Sequence, residues 1–301
     1  MKNQISVEKI YRIDLNSGQT EANDNALQKE LRYDKNGNLI KEINYNPPGV
    51  VDQIVAYKYD QNNRLIDESC FDDEEELLEK TIFEWGPNGH KTKAVKHYQD
   101  GSFDTTTYKF DANNKLIEKE CVDDENEAES KDVFTYQGDL LTEHINYDED
   151  GDIAERTSFI FEQGKKIEER HWESSDQAEN LKKIQYDEDG NLLKELYYNP
   201  SGQLIKKTEY VSYQDGLMTE FVDEDPYGKV TTKLQYDENR NIIFQEQTNG
   251  KGELNHRIER VFDEHQRVLE TNTFVNVHGR GVNLSFREIH QYELFDELKT
   301  N

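Results

Sequence analysis

Tyr33-Asp34-Lys35-Asn36-Gly37-Asn38-Leu39-Ile40-Lys41-Glu42-Ile43-Asn44-Tyr45-Asn46-Pro47-Pro48-Gly49, running on through Val50-Val51-Asp52-Gln53-Ile54-Val55-Ala56-Tyr57-Lys58-Tyr59-Asp60, is the stretch that decides the fold. Asp-Lys-Asn-Gly and Asn-Pro-Pro-Gly both carry turn chemistry: Gly or Asn accepts positive φ and Pro fixes the approach. Between them Leu39, Lys41, Ile43 and Tyr45 alternate with Ile40, Glu42 and Asn44, the period of two expected of a strand. One unit therefore reads as two strands and two turns.

Outward from this stretch the unit recurs. An aromatic anchor followed by a turn stands at Tyr33, Tyr59, Trp85, Phe110, Tyr136, Phe161, Tyr186, Tyr213, Tyr236 and Phe262, about every 25 residues. An apolar residue follows six positions later at Leu39, Leu65, Leu116, Ile167, Leu192, Ile242 and Val268. Where the turn is shorter, at Leu140 and Leu217, it follows after four, and the two-residue difference keeps the side chain on the same face. Glu74 to Lys80 has helix-favouring composition. It occupies the place that Pro47 to Asp52 fills in an earlier copy, so the repeat assigns it to a turn and strand.

Ten anchors predict an all-β, elongated antiparallel meander of about 20 strands built from about ten repeats of about 25 residues, a twisted or coiled single sheet with two edges. The organisation is a single repeat domain over 1–301: capping strands in 1–32, repeats in 33–275, a C-terminal cap in 276–301. In that cap Phe286, Glu288, His290 and Tyr292 alternate as in a strand, while Phe295 and Leu298 are compatible with a helical cap.

Of 301 residues 33% are hydrophobic, and the mean hydropathy is -1.05, values near those of disordered chains. The periodic placement of 17 Tyr, 13 Phe and 2 Trp argues instead for a folded protein with a thin core. The formal net charge of -28 argues against unaided binding of nucleic acid or anionic membrane. No stretch has the apolar length of a signal peptide or a membrane span, so a cytoplasmic location is expected. Cys70 and Cys121 fall at equivalent positions two units apart, too distant for a disulfide.

The units resemble YD repeats, the family found in RHS-type and related polymorphic-toxin proteins. The resemblance rests on Tyr33-Asp34 with Gly37-Asn38-Leu39, Tyr59-Asp60 with Asn63-Arg64-Leu65, Tyr186-Asp187 with Gly190-Asn191-Leu192 and, more loosely, Tyr236-Asp237 with Asn241-Ile242. Trp85-Gly86, Tyr136-Gln137 and Phe161-Glu162 keep the aromatic and lose the Asp. The family implies a strip of antiparallel strands that in long members winds into a shell around a toxin cargo. A short chain without toxin or self-cleavage segment resembles an interaction module or neutralising partner more than a carrier.

Catalytic chemistry has little to stand on. His90, His97, His144, His171, His256, His265, His278 and His290 occupy different phases of the unit, and no metal, redox or phosphate-binding motif is present. No catalytic residue, metal ligand or cofactor is expected. Asp148-Glu149-Asp150-Gly151-Asp152, echoed at Asp187 to Asn191, opens like a calcium loop, but the twelfth position holds Phe159 or Tyr198 rather than a carboxylate. Acidic β-turns are the ordinary reading.

Charge placement says more. Turns after the anchors are rich in Asn and Gly; the opposite turns carry Asp72, Asp73, Glu74 and Glu75, then Asp123, Asp124 and Glu125, Asp148 and Asp150, and Asp223 and Asp225. In a meander these gather on one edge. They serve solubility and discourage aggregation, and with the aromatics Tyr57, Tyr108 and Phe159 they form the candidate binding surface for a basic protein. The expectation is a non-enzymatic interaction module, an immunity or antitoxin-like protein masking a basic toxin domain. The alternatives are a shell segment that assembles with itself or with a larger repeat protein, and glycan binding through exposed aromatics.

Overall fold

The computed structural model describes residues 4–15, 27–175, 179–276 and 281–295. The strands are β1 (Ile5–Asp14), β2 (Leu27–Tyr33), β3 (Leu39–Tyr45), β4 (Val51–Tyr59), β5 (Leu65–Phe71), β6 (Leu77–Trp85), β7 (Lys91–Tyr98) and β8 (Phe103–Phe110). There follow β9 (Leu116–Val122), β10 (Ala128–Gln137), β11 (Leu140–Tyr147), β12 (Ile153–Glu162), β13 (Lys165–Glu173), β14 (Asn180–Tyr186) and β15 (Leu192–Tyr198). The last are β16 (Leu204–Gln214), β17 (Leu217–Asp225), β18 (Gly228–Tyr236), β19 (Ile242–Asn249), β20 (Leu254–Phe262), β21 (Val268–Asn276) and β22 (Val282–Leu294). No α-helix occurs among the described residues.

All 22 strands belong to one sheet. The count exceeds the expected 20 because the segments read as caps contribute β1 and β22. Glu74 to Lys80 divides into a turn and the start of β6, as the repeat required against local propensity. Leu298 lies outside the described residues.

Two compact units divide the chain: Met1–Phe103 with Tyr236–Gln245 and Asn255–Asn301, and Asp104–Gln235 with Glu246–Leu254. In the first, β1 to β7 pair antiparallel in sequence order, as do β20, β21 and β22. β22 then returns to β1, in a ladder from Ile5↔Leu294 to Asp14↔Phe286. This corrects the expectation of an open two-edged strip, because the first and last strands are each other's neighbours.

Side chains reinforce that seam. Ser6 Oγ donates to the Glu293 carbonyl (3.0 Å), Lys9 Nζ lies 3.1 Å from Glu293 Oε1, and the Arg12 guanidinium sits 3.8 Å over the Phe286 ring. Glu8 meets His290 Nδ1 at 2.8 Å, and Tyr33 Oη donates to its other oxygen at 3.4 Å. The hydrogen bond from His290 holds the Glu8 carboxyl below the usual carboxylate range, against the opposing effect of its own burial.

In the second unit β8 pairs with β9, and the meander continues without a crossover through β18. Its core is thin: among the described residues the buried apolar side chains there are Ile184, Val222 and Leu234, and in the first unit Tyr11, Ile13, Ile43, Ile54 and Ala94. Ile43 and Ile54 are direct cross-strand partners. Burial of such a side chain contributes about 1.5–3 kcal/mol, so ladder hydrogen bonds and cross-strand pairs must supply much of the rest.

The anchors show what the repeat is for. Each of Tyr33, Tyr59, Trp85, Phe110, Tyr136, Tyr186 and Phe262 follows a break in register that marks a bulge. From there the polar tip reaches back to the strand that opened the previous unit. Tyr59 Oη donates to the Leu39 carbonyl (2.9 Å), Trp85 Nε1 to Leu65 (2.7 Å), Tyr136 to Leu116 (3.0 Å), Tyr186 to Lys166 (3.0 Å) and Tyr213 to Leu192 (2.8 Å). Tyr292 in β22 makes the same bond to Val268 (2.7 Å), which marks it as a further copy of the anchor. Phe110, Phe161 and Phe262 keep the apolar body without the donor.

Candidate binding edge and sheet face

One kind of five-residue turn recurs on both edges, beside two-residue turns such as those between β10 and β11 and between β17 and β18. At the anchor edge, Asp60 N donates to the Arg64 carbonyl and Asn63 N to the Asp60 carbonyl, while Asp60 Oδ1 accepts the amides of Asn62 (2.8 Å) and Arg64 (3.0 Å). At the opposite edge Asp72 does the same with Glu76, Glu75 and the amides of Glu74 (3.0 Å) and Glu76 (2.8 Å). Asp123 caps Glu125 and Glu127, and Asp148 caps Asp150 and Asp152, at 2.8 to 3.2 Å. Asn199 and Asn249 fill the same role with an amide oxygen. The fourth residue always takes positive φ: Gly37 and Asn63 on one edge, Glu75, Asn126 and Gly151 on the other.

Thus Asp72, Asp123 and Asp148 are turn-forming first of all, and the acidic calcium-like run Asp148 to Asp152 is this turn. What distinguishes the acidic turns is the fifth residue. Asn38, Arg64, Asn191, Asn241 and Arg267 each donate back to the second oxygen of the capping Asp. Those bonds and the turn amides hold Asp60 and Asp187 below the usual carboxylate range, with the side-chain donor as the largest cause. In the acidic turns the fifth residue is Glu76, Glu127 or Asp152, which has only acceptors to offer.

The remaining predicted residues are placed as follows. Asp73, Glu74 and Glu75 lie exposed in the β5–β6 turn, beside the half-buried cap Asp72. Asp124, Glu125 and Asp150 occupy the β9–β10 and β11–β12 turns, which are successive on one edge of the second unit. Asp223 and Asp225 are in β17 rather than in a turn. Asp223 Oδ1 accepts from Thr208 Oγ1 (2.6 Å) and faces Lys206 Nζ (3.5 Å), while Asp225 Oδ1 accepts the amides of Tyr227 (2.8 Å) and Gly228 (3.0 Å).

Tyr57 lies opposite Glu68, half-buried, with its hydroxyl pushed up to about 12 by burial and then by Glu42 and Glu68. In the second unit Tyr108 faces Lys119 and Phe159 faces Glu169; successive cross-strand partners put both rings on one face. At about 3.3 Å per residue, each ring stands about 13–20 Å along the strands from the acidic turn on its own side of the sheet. The structure does not bring aromatics and acidic turns into one patch.

On the same face Asp132 is hydrogen-bonded by His144 (2.8 Å), Lys119 (3.0 Å) and Asn146 (3.1 Å). Burial opposes its ionisation, but these bonds outweigh it and hold the carboxyl low. Thr157 Oγ1 lies 2.9 Å from His171 Nδ1, whose Nε2 lies 3.1 Å from Glu173. Hydroxyl, imidazole and carboxylate stand in the order of an acyl-transfer triad. Direct cross-strand pairing of Thr157 with His171 accounts for the contact without a catalytic role.

Two features escaped the sequence reading. Aromatics also precede the opposite turns, at Tyr45-Asn46, Phe71-Asp72, Tyr147-Asp148 and Tyr198-Asn199, so the anchor motif recurs at a half-period that was legible but masked by the acidic runs. Tyr227, in the two-residue turn after β17, is 98% exposed; Asp-Pro-Tyr-Gly is turn chemistry that the sequence reading did not use.

A family model, the MORN repeat variant, matches residues 29–46 and 180–199. Each match covers one hairpin, β2–β3 and β14–β15, and their starts differ by 151 residues (180 - 29), about six periods. The chain is a repeat β-protein. No curated protein matches it. Among solved structures it is similar to TcdB2-TccC3 without the hypervariable C-terminal region, at 12% identity and TM-score 0.33 over 96% of this chain. It spans 17% of that chain's length. It is also similar to a porin-like protein from Bacteroides uniformis ATCC 8492, at 11% identity and TM-score 0.35 over 97% of this chain and 98% of that one.

Proposed function

We propose that this chain is a non-enzymatic binding scaffold that docks a basic partner protein on its acidic turns, as an immunity or antitoxin-like protein masking a basic toxin domain would. One observation carries the reading. Turns of one backbone design hold three acids and three bases at 34–38, 60–64 and 111–115, yet thirteen acids and no base at 72–76, 123–127 and 148–152. Turn formation needs only the first carboxylate of each, so the others are surplus to folding. Along the strands, by contrast, acids are paired across the ladder, as in Lys29–Glu42 (2.8 Å), Lys182–Glu195 (2.6 Å) and Lys194–Glu209 (2.7 Å). Unneutralised charge collects where a partner can reach it.

Kinship with YD repeats is part of the same proposal, supported by the aromatic-Asp-turn units and the anchor hydrogen bonds. Edge-to-edge self-assembly is less favoured, since β1 already has β22 as its neighbour. Pull-down from the native host, followed by titration of the recovered protein at about 50 and 300 mM salt, tests the reading. A stoichiometric basic partner with nanomolar affinity that weakens with salt is expected. Recovery of no such partner removes its main support.

A further inference from the structure

The geometry points to a binding site, in the first unit, for a small zwitterion with an apolar side chain: an α-amino acid such as leucine. This goes beyond the acidic-turn reading and does not depend on it. A recess of about 210 Å³ is lined by Lys41, Ile54, Ala56, Phe71 and Glu75. Its floor follows from register. Ile54 pairs directly with Phe71, and Ala56 with Lys41, and alternate residues of a strand share a face. Ala56 stands between Lys41 on one neighbouring strand and Ser69 on the other, so short side chains leave the hollow beside the larger Ile54 and Phe71.

The two charged members of the lining stand at opposite ends. Lys41 belongs to β3 and Glu75 to the turn after β5, two strands away, or about 9.6 Å across the sheet. Among the described residues neither makes an ion pair. Other strand lysines do, as Lys29 does with Glu42 (2.8 Å) and Lys80 with Asp67 (3.0 Å). The residue opposite Lys41 on β2 is Arg32, whose own partner is Glu30 at 2.6 Å, so no acid is supplied from that side. With one charge of each sign the lining selects neither a simple cation nor a simple anion, since each would be attracted at one end and repelled at the other. A molecule that carries both charges satisfies both ends: Lys41 takes its carboxylate, Glu75 its ammonium, and an apolar side chain covers Ile54 and Phe71. The recess is smaller than the roughly 300–1,000 Å³ of sites for drug-sized ligands, which limits the occupant to about one amino acid.

The test titrates the full chain with free leucine at neutral pH, read by isothermal calorimetry, and a Kd of about 1 mM is expected. Glycine lacks the side chain, leucinamide the carboxylate, N-acetylleucine the ammonium, and N-acetylleucine amide both charges. Each should bind about tenfold more weakly than leucine or worse. Lys41→Gln and Glu75→Gln should each weaken leucine about tenfold with the β-sheet circular dichroism unchanged. No binding by the wild-type chain at about 20 mM leucine overturns the proposal, as does wild-type affinity in both variants. If N-acetylleucine amide binds as tightly as leucine, the recess takes an uncharged side chain from within a partner protein, and the zwitterion site is overturned. The acidic-turn reading stands or falls separately, by its own partner and salt dependence.

Discussion

The anchor-edge turn at Asp60 and the opposite turn at Asp123 have the same hydrogen bonds, the same positive φ at the fourth residue and the same capping carboxylate. They differ in what the other four residues carry. Asn62, Asn63 and Arg64 close one turn as a neutral unit, whereas Asp124, Glu125 and Glu127 load the other with like charge. Turn geometry here is specified by two positions, the capping Asx and the left-handed fourth residue. The remaining positions are free to carry charge, and these two turns use that freedom in opposite ways.

The comparison breaks most sharply at the cap. Asp123→Ala removes the oxygen that accepts two backbone amides and should cost about 1–2 kcal/mol by urea denaturation, while Asp123→Asn should cost little because Asn199 and Asn249 already serve. Equal loss from both substitutions would mean that charge, rather than the acceptor, holds the turn. Next in size is binding. Neutralising Asp124, Glu125, Glu149 and Asp150 should weaken a basic ligand about tenfold at low salt, and replacing Lys35 and Asn36 on the anchor edge should not.

At the left-handed position both edges mix Gly with residues that bear a side chain. Glu75 sits at φ 63 where other turns have Gly, so Glu75→Gly should raise stability by about 1 kcal/mol; no gain would show that Glu75 is compensated by contacts. The smallest effect is in acid. Asp60 and Asp187 have lowered folded-state values, so their contribution is present above the unfolded carboxylate value near 4 and fades as pH falls through the folded one. Asp60→Asn should flatten that limb of the stability curve.

Much of this was legible. The repeat, the strand assignment of Leu77 to Lys80 and the partition of charge between two turn classes follow from Tyr33 to Asp60 and its copies. Asp223 and Asp225 were misread as a turn because an acidic run resembles the loaded turns, while the strand-terminating signal was Pro226-Tyr227-Gly228 just beyond it. Tyr108 and Phe159 share one face of the second unit, yet their distance from the acidic turns depends on where each lies along its strand.

The sequence by itself determined the period, the turns and the charge on each edge, because those depend on residues within about a dozen positions of one another. Only the tertiary structure decided that β22 meets β1, through contacts such as Ser6 with Glu293, 287 residues apart, and that β17 pairs with β16 only from Lys207↔Glu224 onward. A repeat presents the same local pattern whether or not its ends meet. Closure of the seam and unequal strand lengths are settled by pairing between strands, which no single unit records.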